Sequence, residues 1–277
     1  MYMNGRVCLV TGANTGHGKA VATELAKMGA TVVLGCCNME RAEAARTQLI
    51  AESGNDCISV LLLDLASQRS VRRASDQFLS EHHALDVLIN NAGAWWADRR
   101  VSPDGIELVW ATNVLGPQLL TQLLLPGLRA SGSGRIINVA SNRAGGLDLD
   151  DVEYLRRPYS GIQAYEASKQ AVRMLTWVLA DQLRDEPVVA NALCPGFMKT
   201  ELGRSAPTGF RILLVLLRPL QSSPERGADT AVWLATSSEA AKLTNQFFVK
   251  RRPVPCKFRD PATCAKLWHL CKTMQDD

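Results

Sequence analysis

The sequence predicts an α/β fold, a doubly wound parallel sheet with helices on both faces, from three observations. Six short apolar runs recur along the chain: "VCLV" (7–10), "TVVLG" (31–35), "ISVLLLDL" (58–65), "LDVLIN" (85–90), "GRIINVAS" (134–141) and "VVANALCPG" (188–196). Their hydrophobicity is continuous rather than alternating, which suits strands covered on both faces. Longer segments between them repeat apolar residues at helical spacing, and strand–helix–strand repetition implies parallel pairing. With 277 residues, 47% of them hydrophobic, the chain can bury a sizeable core. It shows no internal repeat, low-complexity tract or flexible linker, and is read as one domain over 1–277.

The first run opens onto "TGANTGHG" (11–18), which leads into the helical pattern "GKAVATELAKMG". Gly12, Gly16 and Gly18 let the backbone turn tightly, approach a pyrophosphate and bring helix against strand, and the helix N-terminus offers unpaired N–H donors to an anion. A dinucleotide site is expected over Gly12, Ala13, Asn14, Thr15, Gly16, His17 and Gly18, with His17 as a wall rather than a base. The bland alternative is a glycine-rich turn. After the second run an acidic residue would bond a ribose 2′-hydroxyl and repel a 2′-phosphate. Here Cys36, Cys37 and Asn38 stand instead, which favours NADP(H) over NAD(H), with Arg41 and Lys19 as cations in reach. "MERAEAARTQLIAES" reads as the second helix. Asp64, followed by Leu65, ends the third run, and it either meets an adenine amino group or caps the next helix.

Further on, "IQAYEASKQAVRMLTWVLADQL" (162–183) reads as a long helix followed by Pro187. Residues four apart share a helix face, so Tyr165 and Lys169 point into the same space. A free phenol has a pKa of about 10, and a neighbouring ammonium favours its ionised form. Alone, such a pair is more often surface decoration. Ser141, however, follows a strand whose C-terminal end faces the ligand crevice of an open sheet, where its hydroxyl could hold a substrate oxygen beside the phenol. Asn113, in "WATNVLG", could hold a water that links Lys169 to solvent. Capping for Ser141 and a helix-interior hydrogen bond for Asn113 are the alternatives.

In order along about 200 residues, "TGANTGHG", "NNAG" (90–93), "TNVLG", "NVAS", "YEASK" and "CPGFMKT" (194–200) together resemble the short-chain dehydrogenases/reductases, and "NMERAEAAR", the long Ser141–Tyr165 interval and the tail "KFRDPATCAKLWHLC" resemble their retinol dehydrogenase branch. The resemblance implies a Rossmann-type fold and a nicotinamide-dependent oxidoreductase with Tyr165 as general acid/base. It implies that Lys169 holds the nicotinamide ribose and lowers the Tyr165 pKa, Ser141 orients substrate and Asn113 supports the proton relay. Asn90, Asn91, Ala92 and Gly93 would line the adenine ribose side, and Pro195, Gly196 and Thr200 would pack on the nicotinamide and its carboxamide.

The segment after about residue 200 is less regular and reads as a cap. Within it, 201–226 is the expected substrate lid. "ILLVLL" (212–217), bracketed by Arg211 and Arg218, would make an apolar pocket with Trp95 and Trp96. A core or dimer helix and a membrane-surface contact are the competing readings. Residues 250–277 form a C-terminal extension in which "PATCAKLWHLCKTM" reads as a docking helix. The formal net charge of +4 resides entirely in that tail, where seven cations face three acids. The neutral remainder speaks against a nucleic-acid-coating surface.

The eight cysteines show no zinc-ligand spacing, so no metal is expected. The longest apolar stretch of interest, "ILLVLL" at 212–217, is far below the roughly 18 to 20 residues of a spanning helix, so no membrane crossing is expected. With no leader pattern before "RVCLVTG", the expected location is cytoplasmic, with peripheral membrane contact left open. The expected function is interconversion of a hydrophobic ketone or aldehyde and its alcohol, on a small lipophilic substrate, with a homo-oligomer open. A catalytically silent nucleotide-binding scaffold or sensor is the alternative, and a sugar-nucleotide epimerase or dehydratase is disfavoured by the glycine spacing and the short C-terminal part.

Overall fold

The computed structural model describes residues 3–196 and 223–276. Eight strands form one sheet: β1 (Val7–Thr11), β2 (Thr31–Cys36), β3 (Ile58–Leu62), β4 (Val87–Asn90), β5 (Gly134–Val139), β6 (Val188–Cys194), β7 (Phe247–Val249) and β8 (Arg252–Pro253). Their order is β3-β2-β1-β4-β5-β6-β7-β8, and every pair is parallel except β7 with β8. The chain runs outward from β1 to β3 and then returns to place β4 on the other side of β1. That reversal opens a crevice beyond the C-terminal ends of β1 and β4, where open α/β sheets bind ligands.

The helices are α1 (Gly16–Lys27), α2 (Met39–Ser53), α3 (Gln68–Glu81), a short α4 (Leu108–Trp110), a π turn (Ala111–Leu115), α5 (Gly116–Ala130), α6 (Gly161–Gln182), α7 (Pro224–Thr236) and α8 (Pro261–Asp276). Alternate strand residues serve the two faces. Cys8, Val10, Val32 and Leu34 meet Val21 and Leu25 of α1, Leu49 of α2 and Ala231 of α7. Leu9, Val33 and Leu61 meet Phe78 of α3, Leu120 and Leu124 of α5 and Leu179 of α6. Both faces are dry, so each strand needs apolar residues at every position. Serine or asparagine caps open the exposed starts: Asn38 accepts from Arg41 N at 2.8 Å, and Ser160 and Ser223 begin α6 and α7 in the same way.

The part after residue 200 differs from the expected cap. Within the described residues, α7 packs on α1, and β7 and β8 extend the sheet beyond β6. Residues 224–226 of the expected lid belong to α7, and the rest of it up to 222 lies outside the described residues. The docking helix is where the sequence put it: Cys264, Leu267 and Cys271 of α8 are buried against Ala171, Met174 and Trp177 of α6. All eight cysteines are free thiols, and no metal-binding cluster occurs among the described residues. Among the described residues one helical run, Leu108–Ala130, is long and apolar enough to cross a membrane, but 72% of its apolar window is buried. Packing against α3 and the sheet accounts for its composition.

Candidate active site

The glycine loop lies at the crevice. Gly12 adopts φ +64°, and a Cβ there would stand 3.0 Å from the Ala92 Cα, so the loop and the end of β4 touch. Gly16 adopts φ +56° and faces open space, whereas a Cβ on Gly18 would come 2.5 Å from the Gly12 carbonyl oxygen. Only glycine lets the first turn of α1 rest directly on the loop. Thr15, the N-cap of α1, makes no side-chain cap bond, which suits a turn whose N–H groups serve an anion. Ala13 is fully buried, and Asn14 and Thr15 are half-buried. A cradle filled wherever a side chain would intrude, and open over Gly16, fits a pyrophosphate.

Thr11, outside the expected site, and Asn91, within the expected 90–93 loop, tie this cradle together. The Thr11 hydroxyl accepts from Asn91 N at 3.0 Å and Ala92 N at 2.9 Å, and Asn91 Nδ2 donates to the Thr11 carbonyl at 2.8 Å. Asn91 Oδ1 lies 2.7 Å from His17 Nδ1, while His17 Nε2 lies 3.2 Å from the Gly227 carbonyl oxygen on α7. Buried between them, His17 stitches α1 to α7, and burial holds its pKa below the ordinary imidazole value. The expectation for Asn90 needs correcting. Its side chain turns away from the loop and donates to Thr121 at 2.9 Å and Asn138 at 2.8 Å, because it is the last residue of β4 and the pleat points it at α5.

At the end of β2, Cys36 is buried and its thiol is pushed up to about 11, chiefly by that burial. Cys37 and Asn38 are exposed, and Asn38 caps α2. Lys19 reaches Gln48 at 2.7 Å and Glu52 at 3.4 Å on α2, so it is engaged there. Asp64 Oδ1 accepts from Ala66 N at 2.9 Å, the local turn role. Leu65, expected beside Asp64 at the cofactor, is 5% exposed; its side chain packs into the core and its carbonyl leaves no room for a Cβ at Gly116.

Tyr165 and Lys169, four apart on α6, lie close to Ser141 past the end of β5. The Tyr165 phenol faces the Ser141 hydroxyl, which favours its ionised form, and Lys169 Nζ sits 5.7 Å from the Tyr165 ring centroid. Lys169 donates to the Val139 carbonyl at 2.9 Å and lies against Gly93, where an added Cβ would be 3.4 Å from Nζ. Burial pulls its pKa down to about 8. The Tyr165 phenol is raised above its ordinary value, first by burial, with the Ser141 hydrogen bond and Arg143 pulling the other way. That direction is opposite to the expected lowering by Lys169.

Asn113 lies in the π turn, and its side chain is fully engaged. Oδ1 accepts from Ala94 N at 2.7 Å, while Nδ2 donates to the Ala94 carbonyl at 3.0 Å and to Ser168 Oγ at 3.0 Å. Its bonds thus run across to the loop at Ala94 and to α6, rather than within its own helix as the alternative expected. Next to it, a cavity of about 30 Å3 is lined by Lys169, Asn113, Asn90, Asn138, Thr121 and Gln118, among others. Such a space admits two or three waters, each needing about 10–15 Å3.

Trp95 and Trp96 are half-buried at the start of α6, where the Trp96 carbonyl leaves no room for a side chain at Gly161. Tyr159 OH donates to that carbonyl at 3.4 Å and to the buried Glu107 carboxylate at 3.2 Å. Glu107 also accepts from Val109 N and Trp110 N, and burial raises its pKa. Past β6, Gly196 adopts φ +87° and its N–H donates to Cys194 Sγ at 3.4 Å, with Pro195 between them. Thr200 and the run 212–217 lie outside the described residues.

Comparison with known proteins agrees with this geometry. The family model described as short chain dehydrogenase matches residues 6–209. Human retinol dehydrogenase 13 is 37% identical over 273 residues, spanning 95% of this chain and 82% of that protein. Among solved structures, an uncharacterized protein from Mycobacterium paratuberculosis superposes with a TM-score of 0.80 at 30% identity, covering 99% of this chain and 95% of the other. The Pseudomonas aeruginosa RhlG/NADP active-site complex gives a TM-score of 0.70 at 27% identity over 89% of this chain and 95% of that one.

Proposed function

The chain belongs to the short-chain dehydrogenase family, in its retinol dehydrogenase-like branch, as a nicotinamide-dependent oxidoreductase, and from that premise we propose that it uses NADP(H) to interconvert a lipophilic carbonyl and its alcohol. The observation that carries the reading is continuity. Gly12 touches Ala92, and the next residue, Gly93, touches Lys169, which shares a helix face with Tyr165, so glycine loop and phenol serve one crevice. The dinucleotide, when bound, supplies or accepts the hydride. Everything else falls to the residues of the chain.

In the reducing direction Tyr165 donates its phenolic proton to the substrate oxygen, on which Ser141 Oγ places a second donor, so the developing negative charge meets two hydrogen bonds. A phenol held above its ordinary pKa is protonated at neutral pH and ready to act as the acid. Lys169, buried yet largely charged at pH 7, holds the ribose and stabilises the phenolate left behind. Asn113 fixes the loop at Ala94, and the cavity beside Lys169 gives a returning proton a path. Absence of a carboxylate at Cys36, Cys37 and Asn38 supports the 2′-phosphorylated cofactor, with Arg41 in the first turn of α2 as its cation. An apolar substrate is supported by Trp95 and Trp96 and by the apolar run 212–217. Replacing Leu214 and Leu217 by serine should therefore raise KM for bulky apolar substrates more than for small ones.

The direct test is Tyr165→Phe. Loss of the general acid should lower turnover by about 10²- to 10⁴-fold, with the dissociation constant of NADPH nearly unchanged in a fluorescence titration. Retention of most turnover removes the mechanism. Tighter binding of NADH than NADPH by the wild-type protein removes the cofactor preference alone.

A further inference from the structure

One turn beyond Lys169, and two beyond Tyr165, α6 carries a third polar side chain on the same face. Arg173 is 7% exposed. One of its Nη atoms donates to the carbonyl oxygen of Ser141, and the other reaches Cys256 Sγ at 3.8 Å. Its guanidinium lies 3.8 Å from the Phe247 ring centroid and 5.7 Å from that of Phe258. Among the described residues no carboxylate forms an ion pair with it, and its buried Nε has no hydrogen-bond partner there.

Such burial is costly for a guanidinium. Aromatic faces attract a cation, yet their attraction is smaller than the desolvation of an unpaired charge. An apolar side chain of similar size would give an equally stable or more stable core. What the cation does hold is the backbone of Ser141, whose hydroxyl faces the Tyr165 phenol and accepts from Arg143 N at 3.1 Å. Helix α6 thus carries the phenol and also the clamp on the residue that faces it. The clamp is seated by Phe247 of β7 and by Cys256 and Phe258 of the C-terminal segment.

We infer that Arg173 is a positioning residue for the reaction: by binding the Ser141 carbonyl it fixes the Ser141 hydroxyl on the Tyr165 phenol, and Phe247, Cys256 and Phe258 hold it in register. This rests on the assignment of Tyr165 and Ser141 above. It also gives the C-terminal segment a part in the site, although 247–258 touches neither Tyr165 nor Lys169 in the contacts described.

The test compares full-length wild type with Arg173→Met, Arg173→Lys, Ser141→Ala, Tyr165→Phe and the Ser141→Ala/Arg173→Met pair. Three quantities are read: NADPH oxidation with saturating decanal, the thermal midpoint, and the 295 nm phenolate titration from which the Tyr165→Phe curve is subtracted to isolate Tyr165. Arg173→Met should lower kcat by roughly ten- to a hundredfold, the scale of a displaced catalytic group, with NADPH affinity within about twofold and no fall in the midpoint. Tyr165 should ionise at higher pH in that variant, because the Ser141 hydrogen bond that favours the phenolate is loosened. Arg173→Lys should recover part of the loss.

In the Ser141→Ala background, Arg173→Met should cost less than about twofold, since two residues acting through one contact are not additive. An unshifted Tyr165 titration in Arg173→Met, or a kcat loss that persists undiminished without the Ser141 hydroxyl, overturns the inference. So does a kcat loss that follows a lowered midpoint. The titration decides the matter even if decanal is a poor substrate. Turnover retained by Tyr165→Phe instead defeats the underlying reading of the site; turnover lost there and kept by Arg173→Met defeats only the positioning role.

Discussion

Replacing two glycines of the loop, one at a time, separates the fold from the binding site. Gly16 sits at φ +56° with nothing within 4 Å of an added Cβ. Alanine there costs only the left-handed conformation, roughly 1–2 kcal/mol. At about 2–4 °C per kcal/mol for a chain of this size, the thermal midpoint should fall by about 2–8 °C. The new methyl stands in the space assigned to the pyrophosphate, however. A steric conflict of about 1–3 kcal/mol there converts to roughly 5- to 150-fold weaker dinucleotide binding.

Gly18 presents the opposite case. Its φ is ordinary, but a Cβ would meet the Gly12 carbonyl oxygen at 2.5 Å, and a main-chain carbonyl cannot swing aside as a flexible side chain can. The helix must lift off the loop, so Gly18→Ala should lose at least about 3 kcal/mol, the upper end of overpacking, before any ligand is added. Thermal unfolding of the protein alone and fluorescence titration with NADPH read the two effects independently. Gly16→Ala binding like wild type would show that the open space is not the phosphate site. Gly18→Ala as stable as wild type would show that the helix does not rest on the loop.

Other consequences can be checked on the same protein. Lys169→Met should abolish turnover yet lower stability by no more than about 1 kcal/mol at pH 7, the Val139 carbonyl losing its donor while a costly buried charge disappears. Because burial holds the Lys169 pKa down to about 8, wild-type stability should gain on the methionine variant as pH rises from 8 toward the unfolded value of about 10.4; urea midpoints that run parallel across that range contradict the buried ammonium. His17, also held below its ordinary value, contributes stability that is full above about pH 6.5 and is lost as pH falls through that value toward the folded one. His17→Gln should therefore narrow the difference in urea midpoint between pH 7.5 and 5.5, and an unchanged difference refutes the assignment. Asn113→Ala removes three hydrogen bonds at about 1 kcal/mol each and should destabilise the protein by roughly 2–4 kcal/mol, measured by denaturant titration; a neutral effect would mean that the Ala94 clamp is dispensable.

The strands of the parallel sheet and the Tyr165–Lys169 face were legible because both depend on residues close in sequence. The hairpin of β7 and β8 was not. Its strands span three and two residues, too short for periodicity, and Lys250 and Arg251 at its turn adopt φ +51° and +60°, positions normally signalled by Asn-Gly. "NNAG" pointed to the loop beside Gly12, yet it could not say that Asn91 braces the cradle while Asn90 bonds Thr121 and Asn138 on the far side. Position at the strand end decides that, and it shifts with a single residue. The engaged side chain of Asn113 and the burial that raises the Tyr165 pKa were equally invisible, since both come from segments distant in the chain.

By itself, then, the sequence determined the α/β class, the glycine cradle, the phenol with its lysine and the family to which they belong, all of which follow from local spacing and residue chemistry. Tertiary structure alone decided which asparagine faces the loop, that His17 joins α1 to α7, and that Arg173 grips the carbonyl of a residue 32 positions away. The physical reason is that helix and strand periodicity orient a side chain only relative to its own element. Which partner it meets depends on strand order and crossover, and these are settled by burying both faces of the sheet at once.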